Sequence, residues 1–243
     1  MIIEKEHGSL NKMEWYEELD FDENPLKKNN ARFVGNEEVL KEAYYSIVSG
    51  NILVIEGAEG TGKTKLLKEV IRKFGGQGRV AYVSAKAVDK ELNIEDILVK
   101  KNGILGMVFK RYPKDMILLL DDVEHISPKN IERIKYFFDS NHLRAVLITT
   151  RSYENIHLSE SIKQRVRKVI AMHPVSEFEA VQIFRDTVGE TILSDRIIKV
   201  IYQLSNKNTQ KFLNNCEQVC KAYVANKNLT EDDVRKLLSR GAQ

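Results

Sequence analysis

The chain has 243 residues, 42% of them apolar and 30% charged, with a formal net charge of +3. This length suits one α/β domain with a small companion, and the composition excludes a low-complexity or disordered chain. So balanced a charge excludes nucleic-acid binding through bulk charge alone, while leaving a local basic patch open.

In chain order, residues 1–30 read as a polar N-terminal extension. It holds Trp15, Tyr16 and a set of acids, and is broken by Pro25 and the run from Lys27 to Asn30. Asn36 is a candidate cap for a helix whose Leu40, Tyr44 and Ile47 fall on one stripe. Asn51–Glu56 (NILVIE) predicts a strand. Leu66, Leu67, Val70, Ile71 and Phe74 then recur at helical spacing until Gly75–Gly76 ends the helix. Arg79–Ser84 predicts a second strand, followed by a helix-like stretch broken at Gly103 and Gly106. Met116–Leu120 is an apolar third strand, Ile131, Ile134 and Phe138 mark a helix, Ala145–Thr149 is a fourth strand and Val166–Ala171 a fifth.

Strands alternating with helices predict an α/β fold, a five-stranded parallel sheet with helices on both faces. After Pro174 the strands stop. Ser176 and Glu179 form a capping box, and four amphipathic helices follow, the last opening at Thr230 and Asp233. The expected division is an extension over 1–30, a nucleotide-binding α/β domain over 31–173 and a helical domain over 174–243.

Cys216 and Cys220 are spaced to share a helix face. No Cys or His stands at metal-site spacing beside them, so they read as small buried apolar residues rather than a metal or redox pair. No apolar run approaches the length of a membrane span, and MIIEKEHGSL lacks the apolar core of a signal peptide. A cytoplasmic protein with no membrane partner is expected.

The chemistry concentrates in a few segments. Gly57-Ala58-Glu59-Gly60-Thr61-Gly62-Lys63-Thr64 fits G-x-x-x-x-G-K-[ST] between a predicted strand and a predicted helix. Such a P-loop turns its N–H groups onto phosphate oxygens and opens a helix whose N-terminus attracts anions. Lys63 would reach the β- and γ-phosphates of ATP or ADP, and the Thr64 hydroxyl would ligate Mg²⁺, with Lys65 just beyond the loop.

The run Ile117–Glu124 (ILLLDDVE) places carboxylates at the C-terminal edge of a parallel strand, where ligands bind in open α/β sheets. Asp121 is the candidate Mg²⁺ holder, directly or through water, Asp122 the candidate general base, and Glu124 a second, longer-reaching base. In the next apolar run, Thr149, Thr150 or Arg151 could touch the γ-phosphate or the attacking water. Arg165, before the last strand, could be presented to a neighbouring subunit as an arginine finger. Lys100, Lys101, Lys110 and Arg111, with Phe109 and Tyr112 interleaved, form a basic segment that either contacts DNA or is a solvated helix face.

These segments, in this order, resemble the AAA+ ATPases over roughly residues 31–240. The phosphate loop is similar to Walker A and LLLDD to Walker B. Phe33-Val34-Gly35-Asn36-Glu37 looks like the segment that packs around adenine, which implies nucleotide contact at Val34 and Gly35. Thr149–Arg151 looks like sensor 1, and Arg165 stands where initiator and clamp-loader relatives keep an arginine finger. The C-terminal helices look like the AAA+ lid, whose third helix usually starts with a sensor 2 arginine. This chain reads Asn208-Thr209-Gln210-Lys211 there, leaving Lys211 as the candidate.

The resemblance implies an ATP- and Mg²⁺-dependent ATPase that assembles as a homo-oligomer and, like the origin-recognition and DnaA-type relatives, works on DNA. The Asp-Asp pair and the phrase LITTR also resemble the STAND switches, which implies the alternative of a regulatory NTPase acting through protein partners.

Overall fold

The computed structural model describes residues 13–27, 32–84, 93–101, 112–125, 127–156 and 158–240. By contact density these fall into two compact units. The first is Phe33–Glu179 with Lys207–Thr209, and the second is the rest of the described chain.

The first unit is built on β1 (Ile52–Glu56), β2 (Val80–Ser84), β3 (Met116–Asp121), β4 (Leu143–Thr150) and β5 (Val166–Ala171). They form one five-stranded sheet in the order β2-β3-β4-β1-β5, parallel at every pairing. The inner strands β3, β4 and β1 are near-continuous runs of Ile, Leu and Val, buried through almost their whole length, as strands covered on both faces require. β4 begins at Leu143 rather than Ala145, because Leu143 pairs with Met116 across a register shift. β3 extends one residue past Leu120, with Asp121 paired to Ser84.

Successive side chains leave a strand on opposite faces, and the two cores follow that parity. Ile52, Val54, Leu118, Leu120, Val146 and Ile148 face one core with α3 (Ile94–Lys101) and α4 (Pro128–Asp139). Leu53, Ile55, Ile117, Leu119, Ala145 and Leu147 face the other with α1 (Glu37–Ser49) and α2 (Lys63–Phe74). Among the described residues, each face therefore buries two long helices.

Local signals set the helix ends. Ser127 accepts from Asn130 N at 3.4 Å and Pro128 opens α4. Ser176 and Glu179 form the expected capping box, Ser176 N to Glu179 Oε2 at 2.5 Å and Glu179 N to Ser176 Oγ at 3.2 Å. Asn36 occupies the expected N-cap position without a side-chain cap. Its backbone is left-handed at φ +55°, and its side chain makes no cap bond. Instead Nδ2 donates to His173 O at 2.9 Å and Oδ1 accepts from His173 N at 3.0 Å. This ties the segment before α1 to the chain leaving β5.

In the second unit lie most of α6 (Glu177–Val188) and α8 (Thr209–Ala225), with α7 (Asp195–Leu204) and α9 (Glu231–Arg240); the short helix α5 (Glu160–Lys163) belongs to the first unit. Tyr202 and Phe212 meet edge to face at 5.4 Å in its core. Cys216 and Cys220 are fully buried free thiols, as their helical spacing suggested. Burial pushes both thiols upward, Cys220 to about 12. Trp15 and Leu26 of the N-terminal segment are also buried. No helix among the described residues is long and apolar enough to cross a membrane.

Candidate phosphate and cation site

The loop Gly57–Thr64 joins the C-terminal end of β1 to the first turn of α2. Gly60 and Gly62 take φ of +83° and +99°, values that side chains oppose. At Gly60 there is also no room, since a Cβ would stand 2.3 Å from the Asn208 side chain. Asn208 Nδ2 donates to Glu59 O at 3.4 Å and Thr209 N to Gly60 O at 3.1 Å, so two residues far along the chain brace the loop tip.

Lys63 is 6% exposed. A buried ammonium must find acceptors, and its Nζ donates to Gly57 O at 2.6 Å and to Ala58 O at 3.0 Å. Thr61 Oγ1 closes the same turn onto Ala58 O at 2.9 Å. The result is a ring of backbone with a cation held over it. Lys65 lies along α2, 3.5 Å from Glu69.

Strand parity builds the acid side. Tyr82, Asp121 and Thr149 belong to the residue set that faces α2, and Thr64 sits on the first turn of that helix. The four converge. Asp121 is 3% exposed. Its Oδ2 accepts from Thr64 Oγ1 at 2.7 Å and from Tyr82 Oη at 2.9 Å, and its Oδ1 accepts from Thr149 Oγ1 at 2.6 Å. Three hydroxyls thus offset the cost of burying this carboxylate. Burial and then the Asp121 charge push the Tyr82 phenol up to about 12.

Asp122 takes φ +58°, and its N–H donates to Thr149 Oγ1 at 3.1 Å. Thr149 therefore links both acids. Glu124 belongs to the neighbouring group: it accepts from Thr150 Oγ1 at 3.0 Å and from Arg151 N. The Arg151 guanidinium comes within 3.8 Å of Glu59 in the phosphate loop, at an exposed position.

Arg165 takes no part in this convergence. Arg165 is bound within its own chain, with Nε and Nη2 on Asp139 at 2.7 and 2.9 Å and Nη1 on Ser161 O at 2.6 Å. Gly35 is buried at φ +75° beside Glu179, with Val34 half-buried before it. Lys211 is exposed on the first turn of α8, in the second unit. Lys100 and Lys101 are exposed at the end of α3, whereas Lys110 and Arg111 lie outside the described residues.

Motif reading missed the contact of Tyr82 with Asp121 and that of Asn208 with the loop. Parity along RVAYVS was the available signal for Tyr82. Nothing local marks Asn208, which reaches Gly60 only through the fold.

The residues present fit phosphate groups with a hard dication. A glycine turn leaves no room for a Cβ, an ammonium stands on loop carbonyls, and a hydroxyl and a carboxylate share one proton beside it. Among the described residues there is no group of three or more His, Cys, Asp or Glu able to hold a metal. A hydroxyl and one carboxylate suit Mg²⁺, which takes few protein ligands and keeps waters and phosphates.

Residues 49–181, more than half of the chain, match the model of the AAA domain family. The chain belongs to that family. Nucleotide binding comes with this membership, and the phosphate loop and both acids lie inside the matched span. No curated protein matches the chain.

Among solved structures, this AAA domain protein is similar to Drosophila ORC bound to DNA (TM-score 0.64, 13% identity, 99% of this chain and 71% of that one). It is similar also to Cdc6p from Pyrobaculum aerophilum (TM-score 0.65, 15% identity, 87% and 69%). A third likeness is to the Thermotoga maritima RuvB Holliday junction branch migration motor (TM-score 0.62, 15% identity, 86% and 70%). At these identities the likeness is one of fold: a parallel P-loop sheet with C-terminal helices, as the sequence predicts.

Proposed function

We propose that this AAA domain protein binds ATP with Mg²⁺, hydrolyses it, and uses the cycle as an assembling switch on DNA. The observation that carries the reading is the meeting of Thr64, Asp121 and Thr149 beside the loop that holds Lys63. Bound Mg²⁺ would supply charge neutralisation at the β- and γ-phosphates.

The chain's own residues take these roles. Lys63 neutralises phosphate charge, and the Gly57–Thr64 amides orient it. The Thr64 oxygen would be free to hold the cation while its O–H donates to Asp121. Asp122, whose backbone is pinned to Thr149, holds the attacking water and takes its proton. Glu124, tied to Thr150 and Arg151 N, is the second base. Val34 and Gly35 line the base, and Lys65 supplies further positive charge. Arg165 would act as a finger only after leaving Asp139.

The DNA part of the reading leans on relatives of the same fold, one of them an ORC bound to DNA, and on the exposed Lys100 and Lys101. Gel filtration of the full chain with ATP, with ADP and with short duplex DNA tests it. ATP should give a larger species that retains DNA, and added salt should release the DNA. No ATP-dependent change in size or retention would overturn this part.

One observation favours a second reading, a STAND-like switch acting through protein partners. Arg151 of LITTR reaches toward the phosphate loop of its own chain, while Arg165 is engaged internally. Copurifying ADP with no ATP-dependent DNA retention would select that reading.

A further inference from the structure

Of the three hydroxyls on Asp121, the motifs account for two. The third belongs to Tyr82, in the middle of the edge strand β2. Tyrosine is a common strand residue, and an edge strand needs no further reason to carry one. Here, though, the residue is 39% exposed, so its ring contributes little to the core. Its hydroxyl, by contrast, is delivered onto a carboxylate that is 3% exposed. Tyr82 pairs with Leu119, two residues before Asp121, and its long side chain spans that offset.

A carboxylate offers two oxygens and about four acceptor directions. Thr64 and Tyr82 fill Oδ2, and Thr149 takes one direction of Oδ1. With Oδ2 closed, Asp121 can meet a cation only through Oδ1 or through the cation's waters. Mg²⁺ keeps several waters and suits such a holder, whereas Ca²⁺ takes carboxylate oxygens directly, often two at once.

We propose that Tyr82 is a positioning residue of the cation site, whose hydroxyl caps Asp121 Oδ2 and so favours Mg²⁺ over Ca²⁺. The proposal rests on the ATP·Mg²⁺ reading above. Tyr82 touches neither nucleotide nor cation; it acts through Asp121.

The test uses the full chain and a fluorescent ADP analogue. Affinity is measured in EDTA, then with Mg²⁺ and with Ca²⁺ titrated separately, for the wild type, Tyr82→Phe and Tyr82→Leu. Tyr82→Phe should leave affinity in EDTA unchanged within error. It should lower the Mg²⁺-over-Ca²⁺ preference, read as the ratio of half-saturating concentrations, by about three- to tenfold, the effect of one modest hydrogen bond. Tyr82→Leu should match it. An unchanged ratio in Tyr82→Phe, an equal loss of affinity in EDTA, or a change confined to Tyr82→Leu would overturn the proposal, the last by assigning the effect to the ring. A wild type that binds no nucleotide under any of these conditions would instead overturn the ATP reading, and this proposal with it.

Discussion

Thr64 Oγ1 donates a 2.7 Å hydrogen bond to Asp121 Oδ2, although 57 residues of chain separate them. The contact joins the first turn of α2 to the C-terminal end of β3. It exists because β1 and β3 both flank β4 in a parallel sheet, so the loop after one and the acids after the other emerge at one edge. The chemistry proposed for this protein depends on that adjacency.

Lys63→Ala should weaken ATP binding by about 100-fold, because it removes a charge-assisted contact at a desolvated position. The helix should survive, as alanine is the best helix former. Fluorescent nucleotide titration, alongside circular dichroism, checks both halves.

Asp122→Ala should keep ATP binding and lose turnover by about 100-fold or more, the usual worth of a positioned base. Glu124→Gln should cost less. Single-turnover hydrolysis of both variants separates them, and retained turnover in Asp122→Ala would move the base to Glu124.

Gly60→Ala should destabilise the first unit by about 1–3 kcal/mol, from left-handed backbone strain and a clash with Asn208. Adding Asn208→Gly should return the clash part and leave the strain. Urea unfolding of the single and double variants measures the split.

Arg165 and Asp139 form a partly exposed bidentate pair, for which a coupling of about 0.5–1 kcal/mol is expected. A double-mutant cycle in urea reads it. If Arg165 also serves a neighbouring subunit, Arg165→Ala should lower turnover only at protein concentrations where the ATP-bound chain assembles.

Cys216 and Cys220 should resist alkylation at pH 9 in the folded protein, since burial holds both as thiols and Cys220 at about 12. The sign for stability follows. The folded pKa lies above the ordinary value of 9.0, so the unfolded chain ionises first. Stability is whole below about pH 9 and falls as pH rises toward 12. Urea midpoints across that range should drop more steeply for the wild type than for Cys220→Ala.

The sheet was legible because most of its strands are short apolar runs that alternate with helical patterns, and the phosphate loop because its glycines and lysine sit at fixed spacing. The capping box at Ser176 was legible for the same reason: its partners lie three residues apart. Asn36 stands at the N-cap as read, but its side chain turns to His173, a partner that only the sheet brings to it. The contacts of Tyr82 and Asn208 escaped the motifs likewise, since they lie in what the fold places beside them. Arg165 read as a residue presented to a neighbour, because only the packing of α4 against α5 and the start of β5 supplies Asp139.

The most direct test is calorimetric titration of ATP into the full chain, with and without Mg²⁺, for the wild type, Thr64→Ala, Asp121→Ala and the double variant. One site per chain is predicted, tightened by Mg²⁺. Each single variant should lose that tightening, and the double variant should lose no more than either alone. A chain that binds no ATP, or a Mg²⁺ effect that survives both substitutions, would contradict the account.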